Sequence, residues 1–417
     1  MVTKKKILMI SDHPLSCSGV GTQARFLING LINTGKYSFR CLGAAIKHSD
    51  YSLTKVNDDL FIKPIDGFGT QDMIRTVVAQ ESPDALLLFT DPRFFGHIFS
   101  IHDEIQRVCP IVFNHLWDDA GDYPPTFNKQ IYEICDLVNC INWPTFEHIN
   151  SLFPEKTNYV PHAVPGELYR KLNDDVRNSM RVKLVGHKRS SHFISLFVGR
   201  NARRKRTSDI MHGFKLFLDQ LHEKRGHKEA VLVMHCNPFD QEGPNLLSVM
   251  EMLGLNDHVV FSNSSVDFEQ MNAIYNGVDV VVNASCAEGF GLPILEAKMA
   301  EKLCIVPMTG GLTRQIKDHE TNVEYGVAMP IDFRSLVGNQ NVPWIAEDYV
   351  DNSRIARSLM QVYEMPILER EALGRASREH ALKNYNLDNL VKSWDASLTD
   401  LFARWNNENN KWSLIEL

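Results

Sequence analysis

Residues 286–296 read Cys286-Ala287-Glu288-Gly289-Phe290-Gly291-Leu292-Pro293-Ile294-Leu295-Glu296, and the run before them is Val278-Asp279-Val280-Val281-Val282-Asn283-Ala284. The apolar run has the length and β-branched content of a buried parallel strand. Pro293 suits the first position of a helix, where its missing N–H costs nothing. The glycines therefore fall on a strand-to-helix turn, with amides free to face an anion at the positive end of a helix. Glu288 in that turn and Glu296 in the first helical turn can reach one small ligand. Amides for phosphate and carboxylates for hydroxyls suit a phosphate-bearing polyol. The alternative is a helix start with two acids capping it.

Working outward, short apolar runs alternate with amphipathic stretches. Strands are expected at 7–11, 39–43, 84–89, 110–114, 136–141 and 157–160, with helices at 22–34 and 71–80. A second set of strands follows at 193–199, 230–235, 258–262, 278–283 and 304–306, with helices at 207–224, 245–252 and 268–276. Strand–helix alternation implies parallel sheets covered on both faces. Two such sets in 417 residues give two doubly wound Rossmann-like domains, since one core stops growing near ~250–300 residues. The expected division is 1–170 as an N-terminal domain, 171–191 as a polar linker, 192–385 as a C-terminal domain and 386–417 as a helical tail. Trp394, Trp405 and Trp412 mark that tail.

Composition narrows the class. A net charge of −7 does not suit a protein that coats nucleic acid or an anionic membrane over its whole surface. The eight cysteines are scattered without a CxxC pair and read as reduced, buried thiols of a cytoplasmic protein. After Lys4-Lys5-Lys6 the apolar run is only Ile7–Ile10, a strand rather than a signal peptide or a membrane span.

Three further turns follow strands. Ser18-Gly19-Val20-Gly21 joins the first strand to the first helix, where glycines let backbone approach a ligand closely. It lacks the third glycine of a dinucleotide fingerprint, and no acid follows the second strand in the expected place. Gly199-Arg200-Asn201-Ala202-Arg203-Arg204-Lys205 leaves the first strand of the second set, so its cations emerge at the strand's carboxyl end, where α/β ligands bind. Such cations can neutralise a diphosphate leaving group. Thr309-Gly310-Gly311-Leu312 forms a third turn. In the N-terminal half, His115 ends another strand, followed by Asp118 and Asp119; Asp91 follows the strand before it.

These motifs together resemble those of the retaining GT-B glycosyltransferases, particularly family 4. The pair Glu288 and Glu296 is similar to that family's E-x7-E signature, Gly199-Arg200-x4-Lys205 to its Gly-Arg-x4-Lys motif, and Ser18–Gly21 to its Gly-Gly-x-Gly loop, with Ser18 in place of the first glycine. Gly310-Gly311 resembles its Gly-Gly-x-x-Glu turn, but Arg314 stands where Glu is usual. The resemblance implies a GT-B fold with two domains facing a cleft and the last helix crossing back to the first domain. It implies a nucleotide-diphosphate sugar, a UDP sugar, as co-substrate, with no metal and no other cofactor. It places Glu288 by the donor sugar, Glu296 on the ribose, Arg200 and Lys205 on the diphosphate, and His115 near the reacting sugar. Ser18, Gly19, Gly21, Gly289, Phe290, Gly291, Leu292, Gly310 and Gly311 would line the donor. Asp91, Asp118, Arg203 and Arg204 would flank the acceptor. By position alone, after the third strand of the second set, Ser262–Ser265 would lie by the base.

The acceptor is argued from charge. Ten of the chain's 44 Lys and Arg lie between Arg177 and Arg206, with no acid among them. A basic cluster on an otherwise acidic protein suits a polyanion. Residues 309–315, 335–338 and 341–344 also resemble a phage-associated branch of these enzymes. That makes a hydroxymethylated base in phage DNA one candidate acceptor, used in the host cytoplasm, and a saccharide or lipid-linked hydroxyl the other. A catalytically silent GT-B-like binding module is the alternative from another class, and an epimerase or phosphorylase the alternative chemistry.

Overall fold

The computed structural model describes residues 4–119 and 126–409. It divides into two compact units. Among the described residues the first comprises 4–117, 126–163 and 387–409, and the second 118–119 and 164–386.

Among the described residues the first unit has strands β1 (Lys5–Asp12), β2 (Tyr37–Ala44), β3 (Thr54–Asn57), β4 (Leu60–Pro64), β5 (Ala85–Thr90), β6 (Ile111–His115), β7 (Leu137–Cys140) and β8 (Thr157–Tyr159). They form one sheet in the order β3-β4-β2-β1-β5-β6-β7-β8. Every pairing is parallel except β3 with β4. In β1 the two faces alternate, as a pleated strand buried on both sides requires. Ile7 and Met9 join one core, and Leu8 and Ile10 the other.

The first of these cores is completed from the far end of the chain. Helix Leu387–Asn409 contributes Leu390, Trp394, Leu398 and Leu401, which pack with Leu27, Ile28 and Leu31 of helix Gly19–Asn33. The two helices meet at Gly30, where a Cβ would lie 2.2 Å from Val391 Cγ2. Only a glycine lets the second helix come that close. Trp412 lies outside the described residues.

The second unit has β9 (Phe193–Val198), β10 (Ala230–His235), β11 (Val259–Ser262), β12 (Val280–Val282), β13 (Leu303–Pro307) and β14 (Val327–Met329). These form an all-parallel sheet in the order β11-β10-β9-β12-β13-β14. A hairpin of β15 (Phe333–Val337) and β16 (Ile345–Tyr349) follows. The strand order reverses between β9 and β12, the switch point where open α/β sheets bind ligands at strand carboxyl ends. The turns after β9, β12 and β13 all open at that end.

Two expectations are corrected. The stretch 171–191, expected as a linker, lies within the second unit. Its helix Asp174–Val185 is capped by Asn173 and packs on helix Phe268–Asn276, with Met180 Cγ 2.8 Å from where a Cβ on Gly277 would lie. Seven of the eight cysteines are buried, but Cys17 is exposed.

Candidate functional site

The turn after β9 carries Arg203, Arg204 and Lys205 in a short 3₁₀ turn, and the turn after β12 carries Ser285 and Glu288. Their side chains converge. Glu288 is buried and forms an ion pair with Lys205; Arg204 lies 3.7 Å away. Ser285 donates a hydrogen bond of 3.0 Å to the same carboxylate. Burial alone would raise the Glu288 pKa, but the charges of Lys205 and Arg204 outweigh it and hold the carboxyl below its usual range. Burial pulls the Lys205 pKa down, opposed by Glu288. Glu288 is therefore a fixed anion, not a proton donor.

Asp118 completes the group. Its carboxylate accepts from the Gly289 amide at 2.7 Å and pairs with Arg204 at 2.9 Å. An anion thus already sits on the amide the sequence assigned to ligand phosphate. Asp119 accepts from the Ala346 amide at 2.8 Å.

The turn after β13 braces this loop. The Gly311 amide donates to the Glu288 carbonyl at 2.8 Å. A Cβ on Gly310 would lie 2.2 Å from that carbonyl, and one on Gly311 would lie 2.4 Å from Phe290 Cα. Gly310 and Gly311 are thus required by backbone-to-backbone contact. Gly291, the residue before helix Leu292–Met299, has φ 92°, a left-handed conformation that favours glycine. From behind, Gln315 donates to the Phe290 carbonyl at 2.6 Å. Buried Lys298 donates to the Gln315 carbonyl and contacts His380 Nδ1 at 3.1 Å.

Glu296 lies one turn into that helix. Tyr275 donates to its carboxylate at 2.8 Å, and Tyr169 hydrogen-bonds to it as well. Part of the side chain still reaches the surface, but the carboxyl is enclosed, and burial raises its pKa to about 7. An ionised carboxylate offers about four acceptor positions, so two tyrosines leave room for ligand hydroxyls.

The remaining candidates have partners of their own. Arg200 is exposed and pairs with Asp240 at 2.7 Å. Arg203 forms an ion pair with Glu347, whose side chain is buried. In the first unit, Ser18 caps helix Gly19–Asn33 by accepting from the Gly21 amide at 2.9 Å and donates to Asp12 at 2.7 Å. A Cβ on Gly21 would lie 2.6 Å from the His13 carbonyl. Asp91 caps the short turn Pro92–Phe95 and pairs with Arg93. His115 is fully buried, with Nε2 3.0 Å from the Tyr132 hydroxyl; burial lowers its pKa to about 3. Ser262 lies 3.0 Å from His235 Nδ1.

Sequence reasoning missed Ser285, Tyr169, Tyr275, Gln315 and Asp12. Ser285 lies between the apolar run 278–284 and the turn at 286–296, three residues before Glu288, and was open to inference. Tyr169 had no local signal, since its role depends on residues more than a hundred positions away.

Two doubly wound parallel-sheet units define the GT-B architecture. Residues 183–327, all within the second unit, match the family described as glycosyl transferases group 1. Among solved structures, sucrose-phosphate synthase from Thermosynechococcus elongatus is similar, with a TM-score of 0.73, 17% identity and coverage of 96% of this chain and 100% of that one. HepE from Anabaena, in complex with UDP-glucose, gives 0.69 at 13% identity, covering 95% and 99%. α,α-Trehalose 6-phosphate synthase from Burkholderia multivorans gives 0.68 at 12% identity, covering 96% and 100%. No curated protein matches the chain by sequence. Among the described residues no helix is long and apolar enough to cross a membrane.

Proposed function

We propose that the chain is a retaining glycosyltransferase of the family 4 kind that moves a sugar from a UDP sugar to a hydroxyl acceptor, without a metal or other cofactor. One observation carries this reading: Lys205 and Arg204 gather on buried Glu288 at the switch point of a parallel sheet, beside a glycine turn opening a helix. The HepE structure holds UDP-glucose, which supports the donor class. In this reading the donor diphosphate competes with Asp118 and Glu288 for Arg204 and Lys205, and the Glu296 carboxylate accepts from the ribose hydroxyls.

The chemistry is a substitution at the sugar's anomeric carbon. Its bond to the diphosphate oxygen breaks, a bond to the acceptor oxygen forms on the same face, and the acceptor's proton passes to the departing phosphate. Glu288, bound by two cations and a hydroxyl, is a poor nucleophile. It serves by fixing Lys205 and Arg204 where negative charge grows. All eight cysteines are free thiols, which fits work in the cytoplasm.

The structure bears on the acceptor through charge pairing. Seven of the ten basic residues between 177 and 206 are in ion pairs: Arg177, Arg181, Arg200, Arg203, Arg204, Lys205 and Arg206. That leaves little free positive charge for a polyanion and favours a saccharide hydroxyl over a hydroxymethylated base in phage DNA.

A donor-hydrolysis screen over nucleotide sugars tests the core of the proposal. Release of UDP from at least one donor, reduced on the order of 10²–10³-fold in Lys205→Ala, is expected. If UDP neither binds nor is released from any donor, the glycosyltransferase reading fails. Transfer of labelled sugar to hydroxymethylcytosine duplex, unmodified duplex and simple saccharides then assigns the acceptor.

A further inference from the structure

The amino ends of the second unit's strands hold a different feature. Asp279 directly precedes β12 and Lys302 directly precedes β13. They line a cavity of 240 Å³ with Lys171, Arg177, Arg181 and Arg370. The sheet is parallel, so this cavity lies at the edge opposite the one carrying Lys205, Glu288 and Gly310.

Five cations line the space against three acids, and the acids are largely committed. Asp279 is held by Arg181 through contacts of 3.1 Å to both terminal nitrogens. Glu371 takes Lys171 at 3.3 Å and lies 4.0 Å from Arg177. Glu301 is the third acid. Lys302 is only 7% exposed, and among the described residues its ammonium has no hydrogen-bond or ion-pair partner. Arg370 lies over the Phe193 ring and likewise pairs with no carboxylate among the described residues. The Nε atoms of Arg177 and Arg370 are enclosed without an acceptor. A lysine ammonium on a side chain this buried, in a cavity lined by more cations than acids, is costly unless something anionic satisfies it. Helix Ile367–Asn384 also begins here with no side-chain cap, adding unsatisfied amides of the same sign.

We propose that this cavity is a second ligand site, specific for a phosphate-sized oxyanion, either inorganic phosphate or a small phosphomonoester. Lys302 and Arg370 supply the charge. The volume of 240 Å³ admits a phosphate group with a few atoms attached. The site is separate from the proposed donor site and does not depend on that reading.

The test is thermal unfolding of the full chain with saturating UDP present throughout, so that any donor site is already filled. Inorganic phosphate and glycerol phosphate are titrated separately, against chloride at equal ionic strength. A rise in Tm with phosphate or glycerol phosphate but not chloride is expected, with the midpoint concentration shifted at least tenfold in Lys302→Met and Arg370→Gln. The tighter of the two probes assigns the source of the phosphate. Lys302→Met keeps the side chain's bulk and removes its charge; Arg370→Gln covers the case in which the first variant does not fold. A Tm response equal to that of chloride, or one unchanged in the variants, would overturn the proposal.

Discussion

The turns after β1 and after β9 occupy the same place in two doubly wound units, yet they use their polar groups in opposite ways. After β1, Ser18 caps its helix and binds Asp12, so the turn satisfies itself. After β9, no side chain caps helix Thr207–Arg225, and Lys205 and Arg204 reach instead to an acid more than eighty residues away. A self-satisfied turn is a structural joint. A turn whose charges are matched only through tertiary contact is one that an incoming anion can rearrange.

The largest expected effect comes from breaking the second arrangement. Lys205→Ala leaves Glu288 with less compensation in a buried place, and it should cost about 3–5 kcal/mol in denaturant unfolding. The double variant Lys205→Met, Glu288→Gln should recover most of that stability but not turnover. If the single variant is as stable as the wild type, the ion pair is not the anchor of this site.

Next is Glu296. Burial holds its pKa at about 7 against an ordinary 4.5, so the folded chain binds this proton more tightly than the unfolded chain. The resulting stability is complete below the unfolded value and is lost as pH rises through 7, a change on the order of 2–3 kcal/mol. Glu296→Gln should flatten that decline, as read from urea midpoints at about pH 5 and about pH 8. UDP affinity of the wild type should rise over the same window and that of the variant should not. Identical pH profiles for the two proteins would remove Glu296 from both roles.

Ser18→Ala sharpens the contrast from the other side. Loss of a helix cap costs about 1 kcal/mol, and calorimetry should find UDP affinity unchanged. A loss of UDP affinity larger than the loss of stability would return the first turn to the donor site. The smallest effect is expected at Arg200. It is the exposed end of its pair with Asp240, and such a pair is worth roughly 0–1 kcal/mol. Arg200→Ala should leave the melting curve in place and lower turnover less than Lys205→Ala. Equal losses in turnover would show that the motif position, not the unliganded geometry, predicts its role.

Much of the second unit was legible because most strands of its parallel sheet are short, apolar and buried. The reading 230–235 matches β10 residue for residue, and 268–276 matches its helix. β3 was not legible, because all four of its residues are exposed and leave no burial pattern to detect. Helix Asp174–Val185 hid for a related reason: it is polar along most of its length and buries only Val185 fully. Its place is set by contacts with helix Phe268–Asn276.

The sequence by itself determined the two alternating strand–helix sets, the turn at Glu288–Glu296 and the basic run after β9. Apolar periodicity, glycine and proline are local signals with local physical causes. Only the tertiary structure decided which charges meet. It gave Glu288 to Lys205 and Arg204, turned Arg200 toward Asp240, placed Asp118 on the Gly289 amide and left the Lys302 ammonium without a hydrogen-bond or ion-pair partner among the described residues. Charge pairing is decided by distance in space, and residues far apart along the chain carry no record of it in their spacing.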